Sequence, residues 1–309
     1  MLNPSAFPLS VIICVHDDWK PLESCLKSLS RQRQAPIFEV VVVDDGSADS
    51  LPDVITRWSF DYPIRLIRQT HSGLAVARNT GMQNATGAVF LFTDCDCILD
   101  EKCLYELGQS LNQHPNDNCF QLWLSGDSSH VVGKVEELHL SVIRSYSLLR
   151  DGHIRYLNTA GAALRRRRIA KGAQVFDPCA LRAQDTLLLA DLIRAGELPR
   201  LVTRASVVHD VRLSIPRYIW KGFWTGYVEG KTYGIINSLG ISVRATWFGR
   251  LRMLISMARE SISNSVGLCP LFIAVIRQGL TYLGSVLYEW RNPKSVDIPF
   301  RSGLERTGS

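Results

Sequence analysis

The chain has 309 residues, 46% hydrophobic and 21% charged, which supplies material for a sizeable core and excludes a wholly disordered chain. Its 35 Lys and Arg against 29 Asp and Glu leave a formal charge of +6. That excess is too mild to indicate nucleic acid and suits anionic substrates or a membrane surface.

Leu9 to Val15 reads as a first buried strand, ending in His16-Asp17-Asp18. Pro21 opens a helix whose Leu22, Cys25, Leu26 and Leu29 recur at helical spacing, and Pro36 closes that unit. Phe38 to Val43 is a second strand, running into Asp44-Asp45-Gly46-Ser47, with Asp49 or Ser50 placed to cap a short helix. Ile64 to Arg68 is a third strand, His71-Ser72-Gly73 a turn, and Leu74 to Ala85 a helix. Gly87 then leads into the apolar run Ala88 to Thr93, which stops at Asp94-Cys95-Asp96. Strands alternating with helices predict βαβ units, a parallel sheet and right-handed crossovers.

Three of these strands end in acids, and in open α/β sheets the carboxyl ends of strands face the ligand. Clustered carboxylates repel unless a cation or hydrogen-bond donors satisfy them. Strand alternation would put Asp94 and Asp96 on one side of the chain. Two hard oxygen donors at that spacing suit Mg2+ or Mn2+, with a substrate diphosphate completing the shell. The competing reading is a helix cap, with Asp100 and Glu101 opening the next helix. Zinc is disfavoured, because Cys95, Cys97 and Cys103 have no second Cys/His pair. The eight scattered cysteines, with Cys14, Cys25 and Cys179 inside apparent strands or helices, fit reduced, buried thiols in a cytosolic protein. The N-terminus has no basic region followed by a long apolar stretch, so no secretory signal is expected. No Gly-x-Gly-x-x-Gly follows the first strand and no Gly-Lys-Ser/Thr occurs, which disfavours dinucleotide and P-loop enzymes.

Beyond a loop at His114 to Asn118, Phe120 to Leu124 reads as a strand and Val135 to Leu149 as a helix presenting Leu138, Val142, Ser145 and Leu149. The small residues from Asn158 to Leu164 suggest tight packing. Arg165 to Arg168 reads as a solvated face, with an anion or lipid site as the sharper alternative. Thr186 to Ala195 is a helix stopped by Gly196, with Asp185 at its N-cap. Arg200 to Val208 is a strand ending in His209-Asp210. Arg217 to Tyr227 is an aromatic and basic helix that suits an acceptor site or a lipid interface. Trp247 to Ala258, with Arg250, Arg252 and Arg259, is a basic amphipathic helix. Pro270 to Trp290 is apolar but holds Arg277, Gln278 and Glu289; interfacial attachment is expected, with a spanning helix as the alternative. A flexible tail is expected after Asn292.

Four elements together carry a specific resemblance: Ser10-Val11-Ile12-Ile13, Val43-Asp44-Asp45-Gly46-Ser47, Gly73-Leu74-Ala75-Val76-Ala77-Arg78-Asn79-Thr80-Gly81 and Thr93-Asp94-Cys95-Asp96. In this order the chain resembles a family-2 glycosyltransferase from residue 9 to about residue 230. The resemblance implies the GT-A fold, a Rossmann-like α/β arrangement with a mostly parallel sheet flanked by helices. A GT-A domain would occupy residues 1–235, with a donor half over 9–113 and an acceptor half over 114–235. A helical, membrane-associated C-terminal extension would occupy 236–309. It also implies a UDP- or GDP-sugar donor and a divalent metal. Asp45 would accept from the nucleobase or ribose, against a plain turn at Asp45-Gly46. Arg78 would meet the diphosphate or a base edge, against a solvated surface arginine. Asp94 would contact the ribose or the metal shell, and Asp96 would ligate the metal. His209 would ligate the metal or touch the diphosphate, against a histidine simply satisfied at a strand end.

In the family an acidic pair precedes such a Leu-rich helix, and its second acid is the general base. Here the pair is Gln184-Asp185. Losing the neighbouring charge is expected to make Asp185 slightly more acidic and a slightly weaker base. The expected activity is inverting transfer of a hexosyl or related group to a hydroxyl on a glycan or lipid-linked acceptor, in polysaccharide or glycolipid synthesis. The expected location is the cytoplasm at the inner face of the cell membrane, with peripheral membrane contact and no nucleic-acid partner. A non-catalytic sugar-nucleotide-binding scaffold at a membrane is the alternative. A metal-dependent nucleotidyltransferase ranks below it, since no triphosphate-binding Gly/Lys loop lies near the N-terminus.

Overall fold

The structure, a computed structural model, describes residues 9–49, 58–170, 172–180, 183–230, 247–263 and 266–292. The chain divides into two compact units, the first drawn from Met1–Leu124 and Arg150–Val208, the second from Ser125–Leu149 and His209–Phe300. The units thus interleave in sequence, and the expected boundary at 235 lies outside the described residues, as do a helix beginning at Ser50 and the tail after Asn292.

The strands are β1 (Leu9–Val15), β2 (Phe38–Asp44), β3 (Ile64–Arg68), β4 (Val89–Asp94), β5 (Cys97–Leu99), β6 (Cys119–Gly126), β7 (Ala162–Arg165) and β8 (Arg200–His209). The described helices are α1 (Trp19–Ser30), α2 (Leu74–Asn84), α3 (Cys103–Gln113), α4 (Val131–Ser147), α5 (Gln184–Arg194), α6 (Ile215–Glu229), α7 (Trp247–Ser263) and α8 (Leu268–Arg291). One eight-stranded sheet runs in the order β3-β2-β1-β4-β7-β6-β8-β5. Its first four strands are parallel neighbours, and β7 is antiparallel to both β4 and β6. The sheet is therefore parallel from β3 to β4 and antiparallel across β4, β7 and β6.

Continuous apolar runs make β1, β2 and β4 because a strand covered on both faces has no solvent side to alternate with. Their cores are almost fully buried. α1 buries Leu22, Cys25, Leu26 and Leu29, the face its periodicity predicts. α2 lies so close to β1 that a Cβ on Gly81 would sit 2.5 Å from Ile12 Cγ2. The register places Cys14 opposite both Val43 and Asp94, and Val15 opposite Asp44. β1, β2 and β4 thus end level, and the ends of β2 and β4 lie about 10 Å apart, two strand spacings.

Several expectations change. β4 ends at Asp94, and Cys95-Asp96 form a turn into the short β5. Asp94 and Asp96 are therefore related by a turn, not by strand alternation. α3 begins at Cys103; Asp100 sits in the turn that opens it, where its Oδ1 accepts from Lys102 N at 3.0 Å and its carbonyl from Cys103 N at 2.9 Å, so Asp100 caps the helix start as the competing reading expects, while Asp94 and Asp96 lie outside it. α4 starts at Val131, with His130 as its cap accepting from Gly133 N at 3.1 Å. Its buried face is Val132, Val135, Leu138 and Val142, packed with Tyr218, Met253, Met257 and Ile273 of the second unit. Ser145 is exposed and Leu149 lies past the helix end. Cys179 is exposed, unlike the buried Cys25, Cys97, Cys103 and Cys119.

The basic run departs most. Arg166 and Arg167 are exposed, but Arg165 and Arg168 are buried. Arg165 donates through Nε to Asp117 O (2.8 Å) and through Nη2 to Leu111 O (2.7 Å), with its guanidinium 5.6 Å from the Phe120 ring. Arg168 Nε lies 2.9 Å from Glu197 Oε1. Arg165 pins the loop after α3 to β7, because a charge that is buried must find acceptors; the exposed Arg167 adds bonds to Asn118 Oδ1 (3.1 Å) and Pro115 O. Arg165→Met should therefore lower the unfolding free energy by about 2–4 kcal/mol, from charge-assisted bonds lost and carbonyls left unpaired. Arg167→Met removes bonds made from an exposed side chain to Asn118 Oδ1 and Pro115 O and should lower it less, by about 0.5–1.5 kcal/mol. Urea titration of both variants checks this.

Candidate active site

Arg78 is the centre of the edge where β1, β2 and β4 end. It lies on α2 and is only 5% exposed, so the solvated-arginine reading is overturned. Its Nη2 donates to Asp94 Oδ1 (3.0 Å) and its Nη1 to Gln184 Oε1 (2.8 Å), with the guanidinium 5.5 Å from the Phe176 ring centroid. Gln184 is itself anchored by its Nε2 donating to Ala180 O (2.9 Å). The next residue, Asn79, was assigned no chemistry from the sequence, yet it clamps the same segment. Its Nδ2 donates to Phe176 O (2.7 Å), and its Oδ1 accepts from Val175 N and Phe176 N (3.1 Å each).

Asp45 follows β2 and is buried. Its Oδ1 accepts from Gln69 Nε2 (2.7 Å) and Ser72 N (2.9 Å); its Oδ2 accepts from Gly73 N (2.9 Å) and faces His71 Nδ1 at 3.0 Å. Three hydrogen bonds thus hold the carboxylate, and His71 Nδ1 lies 3.0 Å from both Asp45 Oδ2 and Asp45 O. The turn reading of Asp45-Gly46 is also correct: Gly46 has φ +77°, and a Cβ there would lie 2.6 Å from His71 N. His16 and His71 stack with ring centroids 4.3 Å apart, and each points Nδ1 at Asp45 O, at 2.9 and 3.0 Å. The neighbouring Asp44 is fully buried and accepts from Ser47 N at 2.9 Å, a structural role. The sequence did not single out Gln69, Asn79 or Phe176; only Asn79 lay within a motif.

Asp185 is half-buried in the first turn of α5 and is not its cap. The cap position is Ala183, in the left-handed region (φ 61°, ψ 24°) and without a side-chain cap bond. A non-glycine residue there costs about 1–3 kcal/mol, which the surroundings must over-determine. Asp185 Oδ1 accepts from Thr186 N at 3.1 Å. Burial pushes its carboxyl pKa above the ordinary value, opposed by Arg78 and two backbone N–H groups and assisted by Asp94. The expected acidification from the missing neighbour is thus outweighed by desolvation.

The thiols report the same field. Burial pushes Cys14 up to about 12, with Arg78 opposing and Asp94 and Asp45 adding, so all three charges converge on it. Cys95 and Cys97 are pushed up by burial and then by Asp94 and Asp96. Asp94 and Asp96 therefore concentrate negative potential at the end of β4. Two hard oxygen donors in such a field fit a divalent cation of the Mg2+ or Mn2+ kind. His209 is the last residue of β8 and belongs to the second unit, where its charge helps hold Glu136 below the ordinary carboxylate value against burial and after Arg277. Also in the second unit, Asp127, His130 and Asp210 place ligand atoms within 4.8 Å of one another. His130 Nδ1 accepts from Gly133 N, which leaves the proton on Nε2 facing Asp210 at 3.3 Å; Arg212 completes an ion-pair cluster rather than a metal site.

Comparison with known proteins gives a consistent result. The profile described as glycosyl transferase family 2 matches residues 10–172. The uncharacterised glycosyltransferase YibD of Escherichia coli K12 is 35% identical over 97 residues, 31% of this chain; the chain spans only 28% of that relative's length. Mannosyltransferase PcManGT of Pyrobaculum calidifontis, solved with GDP-Man and Mn2+, superposes with a TM-score of 0.62 at 17% identity, covering 94% of this chain and 90% of that one. S. aureus TarS residues 1–349 with UDP gives 0.53 at 16% identity, covering 97% of each chain. At such identities the two structures establish the GT-A-like fold alone.

Because its folded pKa is raised, Asp185 binds its proton more readily folded than unfolded. It therefore costs stability at neutral pH, and the cost vanishes as pH falls below the unfolded value near 3.9. Asp185→Asn should raise Tm at pH 7 and give a gain that shrinks to nothing toward about pH 4; calorimetry across pH checks it.

Proposed function

The chain belongs to glycosyl transferase family 2, and from that membership we propose that it moves a sugar from a nucleoside-diphosphate donor to an acceptor hydroxyl with inversion. The observation that carries the reading is Arg78, a buried cation held between Asp94 and Gln184 at the sheet edge. A guanidinium so placed suits a diphosphate. Asp45 organises residues 69–73; a nucleobase or ribose donor group would reach its carboxylate by replacing the Gln69 or His71 side chain. The complexes of PcManGT with GDP-Man and Mn2+ and of TarS with UDP support this donor class. Asp94 and Asp96 would hold a Mg2+ or Mn2+ ion, which supplies Lewis-acid stabilisation of the departing diphosphate.

Asp185 takes the proton of the acceptor hydroxyl as the acceptor oxygen bonds to the anomeric carbon and the bond from that carbon to the diphosphate breaks. A single displacement of this kind inverts the anomeric centre. A raised pKa makes Asp185 a stronger base than an ordinary carboxylate. Arg78 stabilises the charge that grows on the leaving group. The acceptor is a hydroxyl of a glycan or of a lipid-linked carrier.

Thermal unfolding with nucleoside diphosphates and nucleotide sugars, with and without Mn2+, tests the donor site. A ligand at 100 times its Kd should add about 2.7 kcal/mol, and Asp96→Ala should abolish the Mn2+-dependent part. Asp185→Asn should retain the donor-induced shift while turnover falls by about 10^2–10^4. Turnover unchanged in Asp185→Asn would remove it as the base. Donor binding with no turnover in any acceptor mixture would favour a non-catalytic scaffold.

A further inference from the structure

Two helices of the second unit are amphipathic in the reverse sense. From Arg277 onward the side of α8 turned into the unit carries Arg277, Gln278, Thr281, Gly284, Ser285 and Tyr288. The outward side carries Tyr282, Leu283, Val286 and Trp290, and Phe272 and Val275 extend that stripe toward the helix start. α6 follows the same rule: Gly222 and Gly226 face α8, while Trp220 and Trp224 are about half exposed. A Cβ on Gly226 would lie 1.8 Å from Thr281 O, and one on Gly284 2.2 Å from Phe223 O. Backbones this close, joined through glycines, are how helices pair when lipid rather than water surrounds them. A surface helix in water turns its apolar stripe to the core; α8 does so only at its start, through Ile273 and Ala274, and from Arg277 onward turns the stripe away.

We infer that the outward face of α6 and α8 docks on an anionic lipid bilayer, with α8 lying in the plane of the interface. Charge complementarity selects the partner. On the described helices α6, α7 and α8, Arg217, Lys221, Arg252, Arg259 and Arg291 are exposed, against Glu289 as the exposed acid. Trp220 stacks on Phe223 at 5.1 Å and meets Trp224 edge-on at 6.2 Å, a cluster of rings suited to the headgroup region. α7 adds exposed Leu251 and Ile255 between its arginines, the composition of an interfacial helix.

By length and composition α8 could cross a membrane; its polar ties decide otherwise. At its middle, Arg277 lies 3.7 Å from Glu136 on α4 and 4.5 Å over the Tyr218 ring, and Gln278 Nε2 donates to His139 Nδ1 at 2.9 Å. A crossing would carry these groups and α4 into hydrocarbon, where no water satisfies them. The inference stands apart from the donor-site reading and does not depend on it.

Flotation of the full chain with vesicles tests it, using phosphatidylcholine alone or mixed with phosphatidylglycerol. The chain should float with mixed vesicles and much less with neutral ones. Arg217→Glu with Lys221→Glu should weaken binding to mixed vesicles by at least about tenfold, and Phe272→Glu with Val286→Glu should abolish it. Trp290→Ser, at a 76% exposed position, should also weaken binding and serves if the double variant does not fold. Circular dichroism and the nucleotide-induced Tm shift, measured on the same samples, report folding and the donor site separately. Alkaline carbonate should strip the chain from cell membranes. Failure to float with any vesicle overturns the proposal, as does a dimer that Phe272→Glu converts to monomer, which would make this face a contact between copies. Retention after carbonate overturns the in-plane arrangement.

Discussion

A buried guanidinium with one carboxylate and one amide partner governs the candidate site. Arg78 is held by Asp94 at the end of β4 and by Gln184 at the start of α5, and it stacks on Phe176. These three stretches are far apart in sequence, and this one side chain touches all of them. A second carboxylate at 184 would further neutralise Arg78. The amide fixes its geometry without adding a second negative charge, so Asp94 is the one carboxylate among its hydrogen-bond partners. The same burial sets the character of Asp185. Removing an acidic neighbour lowers a pKa, but taking the carboxylate out of water raises it more, and the net direction is upward.

Around this centre the backbone is held by side-chain hydrogen bonds from the same motifs. Asp45 ties residues 69–73 to the end of β2, and Asn79 ties residues 175–176 to α2. Gly81, one turn from Arg78, lets α2 press against Ile12 so that the arginine starts from a fixed place. Adjacent motif residues thus divide the work: one carries charge, the next clamps a loop, and a third admits close packing. Precision at the site comes from helices and strand ends rather than from loop side chains alone.

The second unit solves a different problem. α4, α6, α7 and α8 share an apolar cluster around Tyr218, Met253 and Met257, yet α8 also buries Arg277 against Glu136 and Tyr218. Burial favours a neutral Glu136, but Arg277, His209, the Tyr218 hydroxyl and Lys221 together hold its carboxyl below the ordinary value. The charge is tolerated because Arg277 and the buried Tyr218 hydroxyl face it inside the unit, with His209 and Lys221 adding positive charge nearby. The apolar side chains left outside on α6 and α8 are the counterpart of that polar interior.

The local patterns of the sequence were sufficient for β1 to β4, α1 and α2, because continuous apolar runs and 3.6-residue spacing are properties of neighbouring residues. They also placed Asp45 and Asp94 at one edge, since parallel strands of matching length end level. Their fates once there depended on distant partners. Nothing near Arg165 in sequence indicates that it meets the carbonyls of Leu111 and Asp117. Nothing near Asp185 indicates that Ala183 takes the cap position in a left-handed conformation, or that burial lifts its pKa. Asp96 left the strand for a turn because β4 stops at Asp94 and β5 turns off from it. Periodicity is encoded locally and can be read along the chain. Burial of a charge, and the partner that makes it tolerable, is a property of segments brought together by folding, and only the tertiary structure decided it.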